Sequence, residues 1–222
     1  MMQDRLAVIF DMDGVLVDSY YAHLRSWQEV AAKEGRQISE AEFASQFGRT
    51  SREIIADWGV AYSEEKIAAL DEQKEAAFRR ILAADFPVMP GAMALLRALN
   101  EAGFALAVGS SGPPANVELV LQRLGGRHVF DAVVTGGDVS RGKPDPEVFL
   151  IASRRLGVAP HRCAVVEDAP QGIQAAKAAG MAAVALVSTG RHREMFTQAD
   201  LVVDRLDELS PGRIAQLVCR RR

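Results

Sequence analysis

Only two cysteines, Cys163 and Cys219, occur in 222 residues. That leaves no disulfide framework and fits reduced thiols in a cytoplasmic protein. No apolar run reaches the length of a membrane span, and Met1-Met2-Gln3-Asp4-Arg5 does not open as a signal peptide would. Positive charge is not in excess: 26 Lys and Arg stand against 29 Asp and Glu, a net charge of −3. Nucleic acid and anionic membrane are therefore not expected partners, and Arg220-Arg221-Arg222 reads as a short basic tail at a solvated end. Repeats and low-complexity segments are also missing. What remains is ordinary globular material, 49% hydrophobic and 25% charged. It suffices to pack one large domain or two modest ones, and nothing in it demands more than a monomer.

The stretch Leu6 to Ser19, LAVIFDMDGVLVDS, organises the rest. Leu6-Ala7-Val8-Ile9-Phe10 is uninterruptedly apolar, which suits a strand buried on both faces of a parallel sheet. It ends in Asp11-Met12-Asp13-Gly14, so two carboxylates stand at the carboxyl end of a strand, where open α/β sheets place ligands. Such a pair suits phosphoryl transfer. Asp11 is ionised at neutral pH and needs no separate base to attack phosphorus. Asp13 can protonate the leaving oxygen and then deprotonate the attacking water. Two anions facing a phosphate dianion require a divalent cation, Mg²⁺ being the natural choice. Taken alone, the same residues equally suit a strand running into an Asp/Gly turn.

For about seventy residues after this strand the spacing is helical. Tyr20, Leu24, Trp27 and Ala31 mark one helix, with Asp18-Ser19 as cap and Gly35 as stop. Ser39-Glu40-Ala41-Glu42 reads as a capping box, and Ser51 as the cap of a helix with Ile54, Ile55 and Trp58. A long helix starts at Ser63, runs through Ile67, Leu70, Lys74, Phe78 and Leu82, and is ended by Pro87. This is a small helical domain inserted after the first strand. From Pro90 onward, helical patterns alternate with strands at Phe104–Gly109, Ala132–Thr135, Ala164–Val166, Ala182–Val187 and Leu201–Val203. That alternation predicts an α/β fold with a parallel sheet covered on both faces. The expected division is 1–17 with 87–222 as the core and 18–86 as the insert.

Three more strand ends carry polar residues. Ser110-Ser111-Gly112 offers hydroxyls and backbone N–H groups to a phosphate, or is a Ser/Gly turn leading into a helix. Lys143, in Gly142-Lys143-Pro144-Asp145-Pro146, either offsets the charge of Asp11 and a phosphate or is a solvated lysine. Glu167-Asp168 follows Ala164-Val165-Val166. These are hard oxygen ligands that suit Mg²⁺ together with Asp11 and the carbonyl of Asp13; otherwise they are exposed acids or a helix cap.

In this order and spacing the motifs resemble the haloacid dehalogenase-like hydrolase superfamily, over nearly the whole chain. The resemblance implies a Rossmann-like, doubly wound core with a small helical cap. It makes Asp11 the nucleophile that forms an aspartyl-phosphate and Asp13 the general acid/base. Ser110, Ser111 and Lys143 become phosphate ligands, with Asp11, Asp13, Glu167 and Asp168 around Mg²⁺. A carboxylate at the second motif position is typical of phosphatases and phosphomutases, whereas dehalogenases and ATPases of the superfamily typically lack it.

Within the superfamily the chain looks most like β-phosphoglucomutase-like and small sugar-phosphate phosphatase members. Asp18-Ser19…His23…Trp27 is similar to the mutase's Asp-Thr…His…Trp run, and Arg52 to its cap arginine. His23 and Arg52 are thus substrate contacts by resemblance; as plain residues they are a packing histidine and a solvated arginine. Ser110-Ser111-Gly112-Pro113-Pro114 departs from the mutase's Ser-Ala-Ser-Lys-Asn, which favours the phosphatase. The expected activity is hydrolysis of a small phosphorylated metabolite, a sugar phosphate, with phosphomutase as the same-chemistry alternative. A non-catalytic phospho-ligand sensor is the alternative of another class, and it would have no need of Asp13.

Overall fold

The computed structural model describes residues 5–220; Arg221 and Arg222 of the basic tail lie outside them. The chain divides into two compact units, one running to Asp18 and resuming at Val88, the other spanning Ser19–Pro87. The first unit opens with β1 (Ala7–Phe10), every residue of which is buried. The helical unit contains α1 (Tyr20–Lys33), α2 (Glu40–Gln46), α3 (Ser51–Ala56) and α4 (Glu64–Ala84). The first unit then continues through α5 (Ala92–Glu101), β2 (Ala105–Gly109), α6 (Pro114–Arg123), β3 (Ala132–Val134) and α7 (Glu147–Leu156). It closes with β4 (Cys163–Glu167), α8 (Pro170–Ala178), β5 (Ala182–Leu186), β6 (Leu201–Val203) and α9 (Pro211–Cys219).

The six strands form one parallel sheet in the order β3-β2-β1-β4-β5-β6. From β1 the chain winds outward through β2 and β3, then returns to β4 on the other side of β1 and winds the opposite way. The switch point therefore lies between β1 and β4, where ligands of doubly wound sheets bind. Both strands are apolar up to their carboxyl ends because helices cover both faces, the pattern that distinguishes a parallel sheet from an amphipathic antiparallel one. Val148, Phe149 and Ala152 of α7 and Ile173, Ala175 and Ala176 of α8 pack on Ile9, Ala107, Val165 and Ala183. The α5 helix packs against β2, and α9 against β4.

The helical unit has its own core: Tyr20, Leu24, Trp27, Val30 and Ala31 of α1 meet Phe43, Ile54, Ile55, Trp58 and Leu70. Local chemistry sets its helix starts. Ser39 and Ser63 each accept a backbone N–H three residues on. The cap of α3 is Thr50 rather than Ser51: Glu53 stands three residues beyond Thr50 and closes a reciprocal capping box with it. The α4 helix stops at Ala84, ahead of Pro87. Strand ends shift by a residue or so from the sequence expectation; Glu167 is the last residue of β4 rather than the first beyond it.

The two cysteines differ in environment. Cys163 is fully buried in β4, and burial pushes its thiol up to about 11; Cys219 is exposed. Because only the thiolate reacts, an aromatic disulfide reagent is expected to titrate one thiol in the native protein and the second only in denaturant. Two rapidly reacting native thiols would contradict the placement of Cys163 in the sheet.

Candidate active site

Sheet register puts the two acidic strand ends side by side. Phe10 pairs with Val166, and the Asp11 N–H donates to the Val166 carbonyl at 2.9 Å, carrying the ladder one residue further. Asp11 and Glu167 thus follow aligned residues and project to the same side of the sheet. Beyond Asp11 the chain turns through Gly14, whose φ of 73° is left-handed. A Cβ there would also stand 2.0 Å from Asp168 Oδ2, so conformation and space both require glycine.

Lys143 joins the two strand ends. Its Nζ donates to Asp11 Oδ1 and to Glu167 Oε1, each at 2.6 Å, and lies over the Phe149 ring, 5.0 Å from its centroid. Glu167 Oε2 accepts from the Ala169 N–H at 2.6 Å. Gly172, in the first turn of α8, makes room for this carboxylate: a Cβ would lie 1.8 Å from Glu167 Oε1. Asp168 Oδ2 accepts from Ser188 Oγ at 2.7 Å, with Arg191 Nε at 3.7 Å. One carboxylate oxygen from each of Asp11, Glu167 and Asp168 falls within 4.8 Å of the others, and all three residues are buried.

Burial raises the Asp11 carboxyl well above its usual range; Lys143 opposes this, and Glu167, Asp168 and Asp13 add to it. Asp168 rises to about 7, again through burial first and Glu167 second, with Arg191, Ser188 and Lys143 pulling the other way. For Lys143 burial works against the charge, but Asp11 and Glu167 outweigh it and hold the ammonium above the ordinary lysine range. Negative charge is therefore crowded here beyond what the lysine offsets. Three buried hard-oxygen donors so close together, with excess negative charge, fit a divalent cation of the Mg²⁺ kind.

Ser110, at the end of β2 on the other flank of β1, is buried, and its Oγ accepts from the Gly112 N–H at 3.0 Å. Asp13 is half-buried, with Oδ2 on the same side: a Cβ on Gly112 would lie 3.2 Å from Ser110 Oγ and 3.9 Å from Asp13 Oδ2. Asp11, Asp13, Ser110, Lys143, Glu167 and Asp168 are thus gathered at the carboxyl end of one sheet. Ser111, by contrast, is exposed.

His23 and Arg52 belong to the helical unit and find partners within it. His23 stacks on Phe78 with ring centroids 4.1 Å apart, and its Nδ1 lies 3.1 Å from Lys74 Nζ. Since an ammonium has only protons to give, Nδ1 is the acceptor. Arg52 is exposed and makes a two-pronged ion pair with Glu64. Ser188, Arg191 and Gly172 escaped the sequence reading. Ser188 and Arg191 sit just beyond β5, so inspecting the carboxyl end of every strand would have raised them.

Comparison with known proteins agrees with the doubly wound fold. The haloacid dehalogenase-like hydrolase family profile matches residues 6–180. The validoxylamine A 7'-phosphate phosphatase of Streptomyces hygroscopicus subsp. limoneus is 34% identical, covering 90% of this chain and 94% of its own. The fructose-1-phosphate phosphatase of Escherichia coli (strain K12) is 37% identical over 82% of this chain and 97% of its own. The crystal structure of β-phosphoglucomutase from Clostridium difficile superposes with a TM-score of 0.85 at 29% identity, covering 97% of this chain and 98% of that one. With the acidic strand ends, the bridging lysine and the doubly wound sheet in place, the chain belongs to the haloacid dehalogenase-like hydrolases.

Proposed function

We propose that this chain is a Mg²⁺-dependent phosphatase of the cytoplasm that hydrolyses a small phosphorylated metabolite, a sugar phosphate, through an aspartyl-phosphate on Asp11. The observation that carries this reading is Asp11 at the sheet's switch point, buried and bound to Lys143 within a cluster of three carboxylates. The Asp11 carboxylate attacks phosphorus as the bond to the sugar oxygen breaks. Asp13 gives that oxygen its proton, then removes a proton from the water that cleaves the acyl phosphate and frees inorganic phosphate. Ser110 and Lys143 hold the phosphoryl oxygens, and Lys143 meets the charge that gathers there in the transition state. Asp11, the carbonyl of Asp13, Glu167 and Asp168 would hold Mg²⁺. When bound, it supplies the charge that lets a carboxylate and a phosphate dianion approach each other.

The substrate class is supported by the two curated relatives, both named as phosphatases and one for fructose 1-phosphate. Phosphomutase is the second reading, favoured by the likeness to β-phosphoglucomutase and opposed by Ser111-Gly112-Pro113-Pro114. The test is phosphate release from a panel of sugar phosphates with Mg²⁺ and with a chelator. Release that stops in chelator is expected. No release from any of them would favour a sensor, and isomerised hexose phosphate formed from hexose 1-phosphate would favour the mutase.

His23 and Arg52 are proposed to read the part of the substrate distant from phosphorus. The Arg52–Glu64 pair is exposed, so it contributes little and gives way readily to a ligand. Arg52→Ala is expected to raise KM for the natural sugar phosphate roughly 10- to 100-fold, the loss of one charge-assisted hydrogen bond. An aryl phosphate, which has no distal group, should be turned over as before. Equal losses on both compounds would reduce Arg52 to the partner of Glu64.

A further inference from the structure

Asp168 is held by the segment that follows β5. Ser188 Oγ donates to Asp168 Oδ2, and Arg191 Nε faces the same oxygen at 3.7 Å. Both members of that ion pair are nearly dry, with side-chain exposures of 6% and 5%. Gly14 closes another side against Oδ2. Thr189 ties the segment down through a 2.8 Å hydrogen bond to Asp18. An arginine keeps its charge at any working pH. This one is given no part in the phosphoryl chemistry above, where Lys143 is the cation beside Asp11.

We propose that Arg191 is a resident counter-charge of the acidic cluster: it stabilises the metal-free site through Asp168 and so limits how tightly the site holds its divalent cation. This rests on the reading of Asp11, Glu167 and Asp168 as Mg²⁺ ligands. The attraction between Arg191 and Asp168 is present with or without the cation, whereas repulsion between the guanidinium and the cation exists only when the cation is bound. Arg191 therefore weakens binding by whatever that repulsion amounts to. The opposite outcome, in which loss of Arg191 lets Asp168 swing away and weakens binding, is countered by Ser188, which grips the same Oδ2. A site built in this way stays folded before its cation arrives and exchanges it freely.

The experiment is calorimetric titration of metal-free protein with MgCl₂, together with thermal unfolding, on wild type, Arg191→Gln, Arg191→Lys and Asp168→Asn. Arg191→Gln is expected to bind Mg²⁺ about tenfold more tightly. Its metal-free Tm should fall by several degrees, because a buried carboxylate has lost its partner, and Mg²⁺ should restore most of that loss. Arg191→Lys, which keeps the charge, should stay near wild type. Asp168→Asn should lose the binding heat, identifying the site being titrated. A merely structural arginine would lower Tm equally with and without Mg²⁺ and leave the affinity unchanged. Unchanged or weaker binding by Arg191→Gln, beside normal wild-type binding, overturns the inference and leaves the metal reading standing. No Mg²⁺ binding by wild type overturns both. If Arg191→Gln does not fold without metal, Mg²⁺ must recover its folding; failure to fold in either condition also overturns the inference.

Discussion

Asp11→Asn is expected to reduce phosphate release by about 10⁴-fold or more, roughly 5 kcal/mol of transition-state stabilisation, without loss of the fold. An amide keeps the shape of the carboxylate but lacks the electron-rich oxygen that must attack phosphorus. Stability should hold because charge at this position is already penalised. Burial lifts the Asp11 carboxyl, and Glu167, Asp168 and Asp13 lift it further. Removing the charge relieves those repulsions, while the Asn carbonyl still accepts from Lys143 in place of Asp11 Oδ1. In the absence of metal the variant's Tm should match or exceed that of wild type. A substrate carrying a phosphoryl group should still bind, so the variant can also be tested for trapping unreacted sugar phosphate. A well-folded Asp11→Asn protein that releases phosphate within tenfold of the wild-type rate would remove Asp11 as the nucleophile.

The fold and the centre of the site were legible for different reasons. Strand β1 announces itself locally: an apolar run cut off by Asp-x-Asp-Gly leaves little else for the segment to be. The alternation after Pro90 then implies a parallel sheet, and register does the rest by bringing Glu167 beside Asp11. Local competition was harder to resolve. Thr50 and Ser51 are both good caps, and only the glutamate three residues past Thr50 decides between them. The α9 helix is faint in the sequence although Ser210 and Pro211 form a helix start, because its buried face is reduced to Ile214 and Val218. Interactions across the chain leave no local trace at all. Lys143 and Asp11 are 132 residues apart; the residues alone offer their pairing as one of two readings, and only the family resemblance chooses it. Gly172 looks in sequence like a weak spot in a helix. The reason for it is the Glu167 carboxylate occupying the space of its Cβ. Arg191 and Ser188 likewise mean nothing until the end of β5 is set beside that of β4.

Lys143→Met should damage both chemistry and fold, and the two effects can be separated. Methionine keeps an apolar chain of similar reach but removes the ammonium, which lies over the Phe149 ring and binds Asp11 and Glu167 at 2.6 Å each. Lys143 and Asp11 side chains are each 10% exposed and that of Glu167 1%, so water cannot replace the lost partner. Breaking a buried pair from one side typically costs about 3–5 kcal/mol. In a chain of this size that corresponds to a fall in Tm of roughly 6–20 °C for the unit containing the sheet. Glu167→Gln on top of Lys143→Met should restore part of that stability, since a neutral amide tolerates burial better than an orphaned carboxylate. Turnover should not return. The lysine is also proposed to meet the phosphoryl oxygens in the transition state, and its loss should lower kcat about 10³-fold on sugar phosphate and aryl phosphate alike. That uniformity distinguishes it from Arg52→Ala, whose effect should be confined to KM for the natural substrate. If the double variant recovers turnover along with stability, Lys143 only holds the two carboxylates in place and the phosphoryl group is met by something else.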